Sequence, residues 1–224
     1  MAYAVKEIYR TLQGEGVHAG RTAVFLRFAG CNLWNGLEAD RASAICPFCD
    51  TDFVGTDGVG GGKYASADEL ADSVQFTFDE DLVRNSEVDA TTHDRRGSRF
   101  VVCTGGEPML QLDEELIAAL HAREFEIAVE TNGTIAVPQS VDWICVSPKA
   151  GAGLVQREGD ELKLVYPQSD LTPAQFESLD FDHFSLQPMD GPSLASNTAS
   201  AMQYCIANPR WRLSLQLHKV LEIP

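Results

Sequence analysis

RFVVCTGGEP, residues 99–108, carries the pattern on which the fold turns: five apolar, β-branched or aromatic positions in a row, stopped by two glycines, an acid and a proline. A consecutive apolar run of that length, bounded by turn residues, reads as a strand covered on both faces. Five further runs along the chain share the form: TAVFLRFAG (22–30), EIAVETNG (126–133), VDWICVSPK (141–149), ELKLVYP (161–167) and DHFSLQP (182–188). Helical patterns lie among them. SADELADSVQF opens with Ser66 as a cap and Glu69 three residues on, and LDEELIAALHAREF and LASNTASAMQYCI complete the set. Strand, helix and strand in alternation predict an α/β chain with a parallel sheet and right-handed crossovers. Ligands gather outside the carboxyl ends of such strands. Those ends read AGC, TGGEP, ETNG, SPK and QPMD, and are expected to crowd around one site.

The 224 residues suit one domain spanning 1–224. No apolar run approaches the roughly 20 residues of a membrane span. MAYAVKEIYR lacks the apolar core of a secretory signal, so a cytoplasmic chain is expected. Thirty-three acidic against 17 basic side chains give a formal charge of −16, which argues against nonspecific binding to nucleic acid or anionic membrane. GTDGVGGGKY (55–64) is too glycine-rich for a regular element and reads as a mobile connection. The stretch 79–98 reads as a polar insertion whose charges are solvated.

Cys31, Cys46 and Cys49 form C-x14-C-x2-C directly after the 22–30 strand. In a reducing compartment such cysteines are metal ligands, reactive thiols or core residues before they are disulfides. CPFC alone fits a zinc half-site or a thiol redox pair. Structural zinc usually takes four ligands in two close pairs, and no second pair exists here. A redox pair leaves Cys31 without a part. Three thiolates suit an iron–sulfur cluster one ligand short, with one iron open. Cys103, Cys145 and Cys205 sit in VVC, WIC and YCI and read as small core residues.

The trio ending in CPFCDT, together with TGGEP after a later strand, resembles the radical S-adenosylmethionine (SAM) enzymes. Their usual trio is C-x3-C-x2-C. The loop NLWNGLEADRASAI (32–45) enlarges it here, which narrows the likeness to the 7-carboxy-7-deazaguanine synthases. IYRTLQGEG (8–16), AVFLRFAGCN (23–32), CDT (49–51), TGGEPMLQ (104–111), ETNGT (130–134), SPK (147–149), QPMD (187–190) and LQLHKVLEIP (215–224) are similar to that family in the same order over nearly the whole chain.

The resemblance implies an abbreviated, partly open (β/α) barrel with a mostly parallel sheet. It implies a carbon–nitrogen lyase that converts 6-carboxy-5,6,7,8-tetrahydropterin to 7-carboxy-7-deazaguanine with loss of ammonia, for 7-deazapurine and queuosine synthesis. A 4Fe-4S cluster on Cys31, Cys46 and Cys49 would bind SAM at its open iron. SAM contacts carried over by motif are Phe48, Cys49 and Asp50, then Gly106, then Ser147, Pro148 and Lys149. Gln187, Pro188, Met189 and Asp190 complete that group. Substrate contacts are Leu12, Gln13, Gly14 and Glu15, with Arg27, Thr104 and the carboxylate of Pro224. Thr51 would hold Mg²⁺. The implied partners are a reductant protein such as a flavodoxin or ferredoxin, and a second copy in a homodimer.

Several of these positions have plainer readings. SPK and QPMD are ordinary proline-containing strand ends, and a threonine beside Asp50 is commonly a turn or cap. Arg27 within VFLRFAG could be a structural ion pair, since a buried arginine needs a partner. The resemblance instead gives its guanidinium fork to the substrate carboxylate. Glu107 is expected to order its turn. His18, His93, His121 and His183 read as ordinary polar or core residues, and His218 receives no role. WRLSLQLHKVLEIP stays apolar to its last residue and is expected to dock on the body of the protein rather than fray. Two alternatives remain at this point: a glycyl-radical activase, which would tolerate changes at Arg27 and Pro224, and a noncatalytic iron–sulfur or zinc module, which would need a fourth ligand.

Overall fold

The computed structural model describes residues 2–84 and 99–224. Its strands are β1 (Tyr3–Leu12), β2 (Thr22–Phe28), β3 (Gly62–Tyr64), β4 (Arg99–Gly105) and β5 (Phe125–Thr131), followed by β6 (Trp143–Val146), β7 (Glu158–Tyr166), β8 (Asp180–Pro188) and β9 (Trp211–Leu213). All nine share one sheet in the order β3-β1-β2-β4-β5-β6-β7-β8-β9. From β2 to β9 every neighbouring pair is parallel, and β1 runs antiparallel to both β2 and β3. The sheet is therefore mostly parallel and not closed, as an abbreviated barrel requires.

Within β4 the apolar run divides between two layers, because successive side chains point to opposite faces. Val101 and Cys103 join Val24, Leu26, Ile127 and Val129 beneath helices α1 (Ala67–Arg84) and α2 (Glu114–His121). Phe100 and Val102 face the other way, against Ala23, Ala128, Phe25 and Trp143. A second outer core gathers Leu162, Leu164, Phe184, Leu186 and Trp211 under helix α3 (Leu194–Ala207). Each such side chain contributes about 1.5–3 kcal/mol by leaving water. The short helix α4 (Leu217–Leu221) buries nothing.

Local signals behave as expected at the helix starts. Ser66 Oγ accepts from the Glu69 amide at 3.2 Å, and the Glu69 carboxylate reaches back to the Ala65 amide at 2.8 Å. Asp113 Oδ1 caps α2 by accepting from Leu116 N at 3.0 Å and also receives the Tyr3 hydroxyl.

Three expectations need correction. Strict alternation fails after β5, because the crossovers from β5 to β8 hold no α-helix, only a 3-10 turn at Pro173–Phe176. Pro138, Pro148, Gly151 and Gly153 in those connections oppose helix propagation. Next, 55–64 is not a free connection. Gly62–Tyr64 pair with β1 as β3, and Gly58 N donates to Lys6 O at 3.0 Å while Ile8 N donates to Val59 O at 2.7 Å. Third, α1 continues to Arg84, so residues 79–84 of the stretch read as an insertion are helical, and its remainder lies outside the described residues. Among the described residues no helix is long and apolar enough to cross a membrane.

Candidate active site

The strand ends AGC, TGGEP, ETNG, SPK and QPMD meet around a cavity of about 180 Å³. Cys31, Cys46 and Cys49 line it, with Phe48, Asp50, Gly106, Ser147 and Lys149, and with Gln187, Pro188, Met189 and Asp190. Pro148 does not line this cysteine cavity. Its carbonyl accepts from Gln168 Nε2 at 3.2 Å behind it.

The turn after β4 explains why glycine and glutamate stand there. A Cβ on Gly106 would lie 2.1 Å from Gly30 O and 2.7 Å from Cys31 Cβ, so only glycine lets this turn close on the one that presents Cys31. Glu107 is fully buried and accepts from Thr131 Oγ1 at 2.7 Å, Asn132 N at 2.8 Å and Met109 N at 3.0 Å, which ties the ends of β4 and β5 together. Burial raises its carboxyl despite those donors. Gln111, in the same motif, bonds to Ala4 N and to Ala29 O at 2.6 and 2.8 Å, and so fastens the ends of β1 and β2.

The enlarged loop has its own core. Trp34 packs edge-on against Phe53 at 5.6 Å, and the Arg41 guanidinium lies 4.1 Å above the Trp34 ring. Arg41 Nη1 donates to Pro47 O at 3.0 Å and Cys49 O at 2.9 Å, holding the CPFC segment against the 3-10 turn Glu38–Ser43. The two thiols of CPFC act on each other: Cys49 together with burial raises Cys46, and Cys46 holds Cys49 below the ordinary thiol range. Lys149, half-buried and lowered by desolvation, donates to Ser147 O and Oγ at 2.6 and 2.7 Å and lies near both thiols.

Among the described residues, no three His, Cys, Asp or Glu side chains are drawn together as ligands for a single ion. Three thiols lining one cavity match the donor set of a four-iron cluster one ligand short, so they fit that group. Of the other cysteines, Cys103 and Cys145 are buried as expected, whereas Cys205 is half-buried on α3.

A second cavity of about 250 Å³ adjoins the first. Leu12, Gln13, Gly14, Glu15, Arg27, Thr104 and Pro224 line it, and Glu15, Asp50, Thr51, Glu130 and Gln216 line both. Arg27 donates from Nε to Glu7 Oε1 and from Nη2 to the Tyr9 hydroxyl, each at 2.8 Å. Glu7 and Tyr9 thereby take the side edge of the guanidinium and leave its end edge for a ligand. The ion-pair reading of Arg27 is thus present, and it aims the residue.

Residues 214–224 reach this arginine cavity as a strap. Leu217 N donates to Gly14 O at 2.9 Å, Thr11 Oγ1 donates to Pro224 O at 3.0 Å, and Gln216 Nε2 reaches Glu15 Oε1 at 3.0 Å. A Cβ on Gly14 would lie 2.3 Å from His218 Nδ1 and 2.9 Å from His218 N, so glycine at 14 admits the strap. The expected docking is partial, since Val220 is 72% and Leu221 57% exposed.

Sequence reading overlooked the wall between the cavities. Lys163, 4% exposed, places Nζ 2.7 Å from both Glu15 Oε2 and Glu130 Oε2. The two carboxyls differ. Burial works to raise Glu15, but Lys163 and the Gln216 amide overcome it and hold the carboxyl at about 2. For Glu130 burial outweighs Lys163, and the carboxyl is raised. Glu161, one inward position earlier on β7, accepts from Ser185 Oγ at 2.6 Å and Val17 N at 3.0 Å. The signal was available in ELKLVYP, where charged residues recur at every second place within a buried strand.

No protein-family model matches the chain. The curated relatives it resembles include the 7-carboxy-7-deazaguanine synthase of Bradyrhizobium diazoefficiens, 62% identical over 225 residues, and those of Caulobacter vibrioides and Bordetella pertussis, 59% and 57% identical. Each alignment covers the whole of both chains. Among solved structures, QueE from Escherichia coli superposes with a TM-score of 0.60 over 97% of this chain and 95% of its own, at 24% identity, which is a likeness of fold.

Proposed function

The chain belongs to the 7-carboxy-7-deazaguanine synthase family, and on that premise we propose that it converts 6-carboxy-5,6,7,8-tetrahydropterin to 7-carboxy-7-deazaguanine with loss of ammonia. The observation that carries the reading is the shared wall: cysteines on one side, an aimed arginine on the other, and Glu15, Asp50, Thr51, Glu130 and Gln216 between them. The named relatives lend nothing to a glycyl-radical activase or to a noncatalytic iron–sulfur or zinc module.

In this reading Cys31, Cys46 and Cys49 would hold a 4Fe-4S cluster, and the rest of the cavity lining would receive SAM beside it. Together, the bound cluster and SAM supply one-electron cleavage of a sulfonium bond and, through it, abstraction of hydrogen from the substrate. The protein's part is to bind, orient and exclude water. The backbone at Gly106 receives the SAM ammonium, and the SPK and QPMD turns, with Phe48 and Asp50, receive its remainder.

Across the wall, the free edge of Arg27 takes the substrate carboxylate in bidentate geometry. Leu12, Gln13, Gly14, Glu15, Thr104 and Pro224 surround the pterin. The Thr51 hydroxyl, at the junction, holds Mg²⁺, an ion that prefers oxygen ligands and takes few from protein. A cytoplasmic setting, a flavodoxin-like or ferredoxin-like reductant and a homodimer belong to the same reading, and six free cysteines suit a reducing compartment. The test is anaerobic turnover of the carboxytetrahydropterin by reconstituted enzyme with reductant, SAM and Mg²⁺. Formation of the deazapurine with ammonia is expected, and SAM cleavage without it would refute the substrate.

A further inference from the structure

The strap has little of its own to hold it in place. Helix α4 is five residues long and buries none of them, far below the length at which a helix is stable alone. Leu215, Val220 and Leu221 are exposed. Its first residue, Ser214, is buried and bonded to Gly16 N, Gln187 Oε1 and Leu186 O; beyond it the strap is held by hydrogen bonds to Thr11, Gly14 and Glu15 and by one charged grip. Lys219 Nζ lies 2.6 Å from Asp50 Oδ2 and 2.5 Å from Asp190 Oδ2, and Gln216 Nε2 shares that Asp50 oxygen at 3.1 Å. Asp50 directly follows the cluster-loop Cys49, and Asp190 closes the QPMD turn, so both carboxylates belong to the rim of the cysteine cavity. Lys219 itself lines the arginine cavity. One ammonium thus joins two turns of one cavity to the segment that closes the other.

We propose that Lys219 is a positioning residue that couples the two cavities: by bridging Asp50 and Asp190 it seats the strap, and Pro224 with it, over the substrate when both turns are in place. The inference rests on the functional reading above, in which those turns meet SAM and the strap meets the pterin. Coupling of this kind is reciprocal, so SAM tightens the pterin and the pterin tightens SAM. Without the bridge each ligand binds as if the other were absent, and more SAM is cleaved for each product formed.

The test has two arms. Amide hydrogen exchange on the protein as isolated needs neither substrate nor cluster. In Lys219→Met, exchange at 217–223 is expected to rise roughly tenfold while β2, β4 and β5 keep their protection. Faster exchange throughout the sheet would mark a merely structural role and overturn the proposal.

In the reconstituted holoenzyme, Lys219→Met is expected to raise the pterin KM roughly tenfold with little change in kcat, and to raise the ratio of SAM cleaved to product formed. Lys219→Arg, which keeps the charge and the reach, is expected to restore both. Since Lys219 and Asp190 act through one bridge, the pterin KM of Lys219→Met combined with Asp190→Asn is expected to match that of Lys219→Met alone. A KM within about twofold of the parent's in Lys219→Met, or losses that add in the double variant, would overturn the coupling. If the parent leaves the pterin untouched, the functional reading fails, while the exchange arm still decides whether Lys219 seats the strap.

Discussion

The cysteine cavity and the arginine cavity share a wall and are built by opposite means. The first is made of turns that directly follow parallel strands, each set by a glycine or proline beside the residue it presents. The second is closed by segments from the two ends of the sequence, with Thr11 meeting Pro224 and Gly14 meeting Leu217. Local turn geometry fixes the first, and a few long-range polar contacts fix the second. The difference teaches where each cavity is vulnerable: the first to loss of a ligand or a glycine, the second to loss of a charge.

The largest effect expected tests the first cavity. Cys46→Ala, reconstituted anaerobically, is expected to lose SAM cleavage entirely; retained cleavage would sink the three-cysteine assignment.

Next comes the wall. Lys163→Met leaves Glu15 and Glu130 without their common cation, and breaking a buried pair from one side costs about 3–5 kcal/mol. For a chain of this size that is a fall of about 10 °C in melting temperature. A smaller loss than from an exposed pair such as Arg123–Asp68 would show the wall to be wetter than its burial indicates.

Acid sharpens the same point. The Glu15 carboxyl is held at about 2 in the folded protein against 4.5 in the free side chain. Its contribution, on the order of 3 kcal/mol, is therefore complete above about pH 4.5 and is lost as pH falls through about 2. Glu130, raised by burial, has the opposite sign, and its contribution fades as pH rises through its folded value. Melting temperature followed from pH 5 downward is expected to fall in the parent, and Lys163→Met is expected to flatten that slope.

The smallest effect lies at the junction. Thr51→Ala is expected to slow turnover about tenfold, or about 1.4 kcal/mol, and to abolish the response to Mg²⁺. Unchanged rate and unchanged Mg²⁺ dependence would remove the assignment.

Sequence showed the first cavity better than the second for the same physical reason. A buried strand followed by a turn is a local pattern, so β2, β4, β5, β6, β7 and β8 and their ends were legible. β1 was not, because its buried positions break step: the register shifts between Val5 and Glu7, and the run carries Lys6, Glu7 and Arg10. Lys163 was hidden inside a strand read correctly for its apolar half alone. Lys219 could not be found at all, since its partners lie 169 and 29 residues away and only folding brings them together. Arg41 is intermediate: it sits in the loop it clasps, but nothing in NLWNGLEADRASAI says which carbonyls it will find.

The contact between Gly14 and His218 has a consequence for how such a chain drifts over generations. A methyl group at 14 would collide with a side-chain nitrogen that could move and also with a backbone nitrogen that could not without moving the strap. Position 14 can therefore not wander by itself. Across descendants of this sequence, a residue other than glycine at 14 should be met only beside a smaller one at 218 and a displaced strap, so that two positions 204 apart in the chain inherit their changes together.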